Sequence, residues 1–309
     1  MKSFLARLSR GEALLADGAM GTQLFARGLA PGVPPEAVTF ANPDWLVEIA
    51  REYIDAGADI VQTNTFGGSA IKLAAGGLAD RTSDVNSRAV ELARTASAGR
   101  DVFIAGECGP CGRLLAPYGD AAPDEVRASF ELQLRALVAA GVDLVIVETM
   151  TDLEEASIAV RAAKAIGPAI PVIATMTFDS TPRGFFTIMG VDVARACRGL
   201  AAAGADVVGA NCGAGSATML ELARVFRATT DLPVAIQPNA GLPKLVGGQV
   251  VHPETPAEMA ERVARMLELG VSIVGGCCGT TPHHIRAFRG VLDDHRRRQG
   301  EKRRAGPGA

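Results

Sequence analysis

The chain has 309 residues, 48% hydrophobic and 21% charged, with 35 glycines, 6 cysteines and a net charge of -3; this suits one large α/β core and lacks the basic surface that duplex or RNA binding requires. The first ten residues carry Lys2, Arg7 and Arg10 among short apolar stretches, unlike a secretory signal, and no run approaches the ~18–20 apolar residues that cross a bilayer. The expectation is a cytoplasmic protein with reduced thiols, no disulfide scaffold, and neither nucleic acid nor membrane as a partner.

In chain order, a first strand is read at 14–16, followed by Asp17-Gly18-Ala19-Met20-Gly21-Thr22 and a long Pro-rich loop over 23–41 holding Pro31, Pro34 and Pro35. A loop of that length in a compact domain covers a site. A helix over 42–57 then ends at Gly57 and passes at once into Ala58-Asp59-Ile60-Val61. The same passage, a helix closed by Gly followed by a short apolar strand, recurs at Gly141, Gly204 and Gly270. Further strands fall at 102–105, 172–175 and 234–236, and helices at 83–99, 123–140, 152–167, 191–204, 216–229, 255–270 and 281–294. Thr151-Asp152, Thr255-Pro256 and Thr280-Thr281-Pro282 supply helix-start signals. Eight alternating βα units predict an α/β fold, a single closed (β/α)₈ TIM barrel over 1–294, with 295–309 a basic, disordered tail. An open doubly wound sheet is the alternative, but the turn after the first strand lacks the Gly spacing of a dinucleotide loop.

Active-site groups of such a barrel sit at the C-terminal ends of its strands. Polar and reactive residues gather there: Asp17 after strand one, Thr63-Asn64-Thr65 after two, Glu107-Cys108 after three, Glu148-Thr149 after four, Asn211-Cys212 after six, Gln237-Pro238-Asn239 after seven and Gly275-Gly276-Cys277-Cys278-Gly279 after eight. Cys212 would face Cys277 and Cys278 across the rim. Three thiolates with one open position describe a catalytic zinc site, since closed structural sites supply four protein ligands. The bland reading is a pair of small buried thiols in a Gly-rich turn. For Asp17 it is a turn-former, for Glu148 a charge at a helix N-terminus, and for Met20 a core filler. Asn211 and Asn239 fit loop anchors as well as they fit substrate contacts. Cys108 and Cys111 form a CxxC that reads as a redox pair, a spare ligand or, preferably, two thiols in a Gly-Pro loop without a thioredoxin-like setting. Cys197 reads as a helix-face residue, and His283-His284 as a helix start.

The stretches 17–22, 62–68, 209–213, 238–243 and 274–282, above all Ala-Asn-Cys-Gly and Gly-Gly-Cys-Cys-Gly-Thr-Thr-Pro, resemble the homocysteine S-methyltransferase family over 11–292. The resemblance implies a zinc-dependent methyltransferase on a (β/α)₈ barrel that forms methionine. Cys212, Cys277 and Cys278 would hold one Zn²⁺ and activate the thiol of homocysteine. A free thiol titrates near about 8.5, so little of it is the nucleophilic thiolate at neutral pH until a metal deprotonates it. By the same resemblance Asp17 and Glu148 bind the α-ammonium and the backbone N–H groups of Gly18, Ala19 and Met20 the carboxylate, with Asn211 also at the substrate.

The sequence leaves several methyl donors open. Asp293-Asp294-His295-Arg296-Arg297-Arg298 nearly imitates the Asp-x-His-x-x-Gly of a cobalamin domain but has Arg298 at the glycine, so no cobalamin is expected on this chain. The preferred donor is a methylcorrinoid protein in trans, as in a split methionine synthase. Betaine, a sulfonium or S-methylmethionine are alternatives. Betaine calls for an aromatic cage, and the chain has one Trp and two Tyr, although Phe66, Phe178, Phe185 and Phe186 fall near the mouth. A different acceptor thiol, or a protein that binds homocysteine or zinc without turnover, are the remaining readings.

Overall fold

The structure is a computed structural model that describes residues 3–247 and 249–305. Eight parallel strands run in the order of the chain: β1 (Leu14–Leu15), β2 (Ile60–Gln62), β3 (Phe103–Cys108), β4 (Leu144–Met150), β5 (Val172–Met176), β6 (Val207–Gly215), β7 (Val234–Asn239) and β8 (Ile273–Val274). β1 pairs with β8, and the circle closes on β2 through a parallel bridge between Ala16 and Ile60. Each strand is followed by a main helix: α1 (Pro43–Asp55), α2 (Thr82–Ala96), α3 (Pro123–Ala139), α4 (Leu153–Ile166), α5 (Val193–Ala203), α6 (Ser216–Thr229), α7 (Pro256–Glu268) and α8 (Pro282–Ala305). The single (β/α)₈ barrel expected from the sequence is the observed fold. No described helix is long and apolar enough to cross a membrane.

Period-two alternation along the strands builds two cores. Leu14, Ile60, Phe103, Ala105, Leu144, Ile146, Ile173, Val207, Ala235 and Ile273 fill the barrel interior, and Phe4 and Leu8 of the N-terminal helix Phe4–Ser9 close its floor. Their neighbours Val61, Ile104, Val145, Val147, Val208 and Ile236 face outward against the helices. Gly209 has no room for a side chain, since a Cβ there would lie 1.8 Å from the Ala235 carbonyl oxygen. The junction Gly57 takes φ +102 and Gly204 φ +105, the left-handed conformation expected where a helix turns into a strand.

Three expectations change. Residues 295–305, expected as a tail, are described as the continuing end of α8. α8 runs on because Arg289 and Arg296 tie it to the barrel floor: both bond Asp59 Oδ2, at 3.3 and 3.2 Å, and Arg296 also donates to the Ala13 carbonyl at 2.6 Å. Residues 306–309 lie outside the described residues. The supposed loop over 23–41 contains the end of a helix (Met20–Ala26), a 3₁₀ turn (Pro35–Ala37) begun by proline, and a helical turn (Val38–Ala41). Two hairpins absent from the sequence reading, Asp179–Thr181 with Gly184–Phe186 and Lys244–Val246 with Gln249–Val251, rise after β5 and β7. Their strands are three residues each, too short for a periodic signal.

Candidate metal centre and substrate pocket

The alternation that packs the floor with aliphatic side chains continues upward into polar ones. Ile60 leads to Gln62, Ala105 to Glu107, Ile146 to Glu148, Ala235 to Gln237 and Ile273, by way of Gly275, to Cys277. These five residues and Asp17 line a cavity of about 530 Å³ at the C-terminal mouth, within the roughly 300–1,000 Å³ of small-molecule sites.

Cys212, Cys277 and Cys278 all come to this cavity, their sulfurs within 4.8 Å of one another and Cys212 Sγ 3.9 Å from Cys278 Sγ. Thiolates about 2.3 Å from a tetrahedral zinc stand about 3.8 Å apart, so the three sulfurs fit such an ion. Their backbones are held for the purpose. The turn after β8 is pinned by Gly276 N–H to the Asp17 carbonyl at 2.9 Å, Cys277 N–H to the Pro238 carbonyl at 2.9 Å and Thr280 Oγ1 to the Cys277 carbonyl at 2.7 Å. A Cβ on Gly276 would lie 2.3 Å from Thr280 Oγ1, which is why the consecutive thiols follow glycine. The Cys212 thiol is pushed well down because Cys277 and Cys278 donate to its sulfur, while Cys277 is pushed up by giving those bonds and by burial.

Cys212 has φ +59, and so does Thr149, the residue after Glu148; no other described non-glycine residue has a positive φ. Each sits where the strand register slips, in β6 and β4 respectively. Asn211 spans the two irregularities. Its Oδ1 accepts from Thr149 N–H and Thr175 Oγ1, both at 2.8 Å, and its Nδ2 donates to Thr149 Oγ1 at 2.7 Å and reaches Cys277 Sγ at 3.9 Å. Asn211 is fully buried and does not line the cavity. Its polar atoms hold the left-handed Thr149 and the strand that carries Cys212, the loop-anchor role the sequence left open beside substrate contact.

The other side of the cavity is acidic. Asp17 is buried and accepts from Gln62 N–H at 2.8 Å and Gln62 Nε2 at 3.0 Å. Burial nevertheless pushes its carboxyl up to about 6, against the pull of those bonds. Burial pushes Glu148 up to about 7, and burial and then the neighbouring Glu148 charge push Glu107 well up. Gln62 Oε1, Glu148 Oε2 and Gln237 Oε1 are buried acceptors without an N–H or O–H partner. Such a wall lacks donors and fits a cationic group that brings several. Gly18, Ala19 and Met20 line the cavity, and Ala19 N–H is given to Thr280 Oγ1 at 3.1 Å.

The remaining candidates fall elsewhere. Cys108 and Cys111 are buried behind β3, Cys108 Sγ on Gln133 Oε1 at 3.4 Å and Cys111 beside Glu155. Burial pushes both thiols up, Cys111 to about 12, and neither lines the cavity. Cys197 is buried in α5. His284 bonds Thr281 and the Glu254 carbonyl, away from the sulfurs. Glu107 and Gln237 stand among the polar strand ends without an assigned role, and Gln62 is not singled out in the sequence. Counting by twos from the apolar interior residues picks out all three.

A model of the family described as homocysteine S-methyltransferase matches residues 14–292. The chain belongs to the homocysteine S-methyltransferase family. It is 35% identical over 300 residues to methionine synthase of Mycobacterium tuberculosis, covering 92% of this chain and 25% of that protein. It is also 35% identical over 289 residues to methionine synthase of Mycobacterium leprae, covering 88% and 24%. The chain thus spans about a quarter of the length of these curated relatives. The metallated form of the homocysteine methyltransferase MmuM from Escherichia coli superposes with a TM-score of 0.76 at 26% identity, covering 92% of this chain and 98% of that one. The oxidized form of MmuM gives the same TM-score at 25% identity. The TIM barrel of these structures is the fold of this chain.

Proposed function

We propose that this protein methylates the sulfur of homocysteine to give methionine, with the methyl group presented by a separate methylcorrinoid protein, as the homocysteine half of a split methionine synthase. The carrying observation is that one cavity joins a three-thiol cluster to a buried acid wall with unpartnered acceptors. Cys212, Cys277 and Cys278 would hold zinc, which supplies the Lewis acidity that turns the substrate thiol into thiolate at neutral pH. Asp17 and Glu148 take the α-ammonium, the turn at Gly18, Ala19 and Met20 lies where the carboxylate would rest, and the thiol extends toward the cysteines. The sulfur attacks the methyl carbon, the S–C bond forms as the cobalt–carbon bond breaks, and the electron pair stays on cobalt. The thiol proton leaves to solvent.

Two observations favour a macromolecular donor. Exposed apolar side chains crowd the segments at the barrel mouth, among them Val33, Tyr118, Ile188, Leu242, Leu245 and Val250, whereas large apolar residues exposed on the main helices are Leu132 and Val225 alone among the described residues. A protein docking over the mouth would cover them. In addition, Phe66 is the one aromatic residue among those lining the cavity, so no cage for a quaternary ammonium is formed there. Phe178 is buried against Phe226, and Phe186 lies in the first hairpin beside Arg183.

A second reading has one observation of its own. Glu36, a buried carboxyl on the cavity wall, lies near Phe66 and bonds Gly67 N–H at 2.6 Å, which would suit a small sulfonium donor. Methionine formation measured with methylcobalamin, a methylcorrinoid protein, S-methylmethionine and betaine under matched conditions separates the readings. Turnover with a sulfonium or betaine and none with any methylcorrinoid overturns the proposed donor.

A further inference from the structure

The turn after β1 carries Asp17 and the backbone beside which the substrate carboxylate would rest, and the turn after β8 carries Cys277 and Cys278. Two hydroxyls join these turns, although neither Thr280 nor Tyr53 lines the cavity. Thr280 is fully buried; its Oγ1 accepts from Ala19 N–H at 3.1 Å and donates to the Cys277 carbonyl at 2.7 Å. Tyr53, buried on α1, places its O–H 2.9 Å from the Ala19 carbonyl and 3.3 Å from the Thr280 carbonyl. Ala19 is thus held at its N–H by Thr280 and at its carbonyl by Tyr53. The fit is close, since a Cβ on Gly18 would lie 2.7 Å from Thr280 Oγ1 and 2.9 Å from the Tyr53 hydroxyl.

Each turn also has anchors of its own. Cys277 N–H donates to the Pro238 carbonyl and Ala240 N–H to the Cys278 carbonyl, both at 2.9 Å, so the end of β7 holds the thiols. Asp17 N–H donates to the Ile60 carbonyl at 3.0 Å, so β2 holds the acid. What Thr280 and Tyr53 add is the spacing between the two. Gly276 N–H to the Asp17 carbonyl at 2.9 Å and Gly279 N–H to Thr22 Oγ1 at 3.1 Å also cross the gap, so loss of one hydroxyl loosens the joint without opening it. A ligand gripped at both ends gains from a fixed spacing, because its second contact is intramolecular once the first is made, and a shift of about an ångström forfeits that gain. A ligand gripped at one end gains nothing from it.

We propose that Thr280 and Tyr53 are positioning residues that fix the distance between the thiol cluster and the amino-acid end of the pocket, and thereby set the length of the thiol that the site accepts. This rests on the reading that homocysteine spans the cavity. Thr280→Val keeps the shape of the side chain and leaves Ala19 N–H without its acceptor, while Thr280 N–H, 3.1 Å from the Cys277 carbonyl, still closes the metal turn. Tyr53→Phe removes one oxygen from a ring that stays packed.

The test is titration calorimetry on the zinc-loaded full chain with L-homocysteine, with L-cysteine, which is one methylene shorter, and with two ligands gripped at one end: 2-aminobutanoate, which lacks the thiol, and 1-propanethiol, which lacks the amino-acid end. The wild type should bind homocysteine at least about tenfold more tightly than cysteine. Thr280→Val should lose roughly tenfold and Tyr53→Phe roughly threefold in homocysteine affinity, with the preference over cysteine narrowing to match. Zinc content should hold, the one-ended ligands should stay within about twofold, and Thr280→Ser, which keeps the hydroxyl, should behave as the wild type. An unchanged preference in both Thr280→Val and Tyr53→Phe, or one-ended ligands weakened as much as homocysteine, overturns the positioning role and leaves the homocysteine reading standing. If Thr280→Val does not fold, Tyr53→Phe decides alone. A wild type with no preference for homocysteine overturns that reading and the positioning role with it.

Discussion

Replacing Asp17 by Asn should change how the stability of the protein depends on pH. The Asp17 carboxyl moves from an ordinary 3.8 to about 6 on folding, because burial costs the ionised form more than the two bonds from Gln62 return. A carboxyl whose value is higher folded than unfolded stabilises the fold while both states are protonated, and that contribution is lost as pH rises through the folded value. At about 1.4 kcal/mol per pH unit, the interval from 3.8 to about 6 amounts to about 3 kcal/mol. Neutral Asn at 17 titrates nowhere in that range. The Asp17 charge also pushes Glu148 upward, so its removal adds to the effect in the same direction. Urea unfolding of reduced, metal-free wild-type and Asp17→Asn proteins, followed from pH 4 to pH 8, gives the difference directly. The wild type should lose roughly 2.5 kcal/mol relative to the variant over this range, mostly below pH 6.5, while homocysteine binding to the zinc-loaded variant is lost. A stability difference that stays flat across this range would refute the claim that Asp17 is a strained, buried acid awaiting a cation.

Cys277→Ala should release zinc on dialysis, since two thiolates hold the ion poorly; full zinc content by metal analysis would break the three-cysteine assignment. Cys108→Ser and Cys111→Ser should keep zinc and methyl transfer while losing about 1–3 kcal/mol of stability for a buried hydroxyl, and loss of zinc in either would mean that the loop after β3 supplies a ligand. Asn211→Ala leaves Thr149 N–H and Thr175 Oγ1 without their partner, at about 1–3 kcal/mol each. It should weaken both zinc retention and homocysteine binding, and an effect on neither would contradict its bridging role.

The fold was legible because the four helix–Gly–strand passages at Gly57, Gly141, Gly204 and Gly270 are local events, each set by a few neighbouring residues. The three-thiol cluster was legible for a related reason: the glycines around Cys277 and Cys278 announce a backbone that only an unusual turn requires. What stayed hidden depends on contacts remote in sequence. α8 continues beyond 294 because Arg296 meets Asp59, and nothing near Arg296 marks that meeting. Asn211 precedes a cysteine, and nothing near it in sequence marks Thr149, 62 residues away, as its partner.

The acid wall lies between these cases. Its members stand on four strand ends and the turn after β1, and alternation alone directs Glu107 and Glu148 into the barrel. Alternation does not tell that both end up buried on one cavity with Asp17. Burial raises all three acids, and the site they form costs stability unless a cation fills it. The left-handed Thr149 and the register slip in β6 at Cys212 are strain of the same kind, held by Asn211 from one position. Strain on both sides of one cavity, electrostatic on the acid side and conformational on the thiol side, is what a site shaped to stretch a short ammonium-bearing thiol between two fixed points would carry.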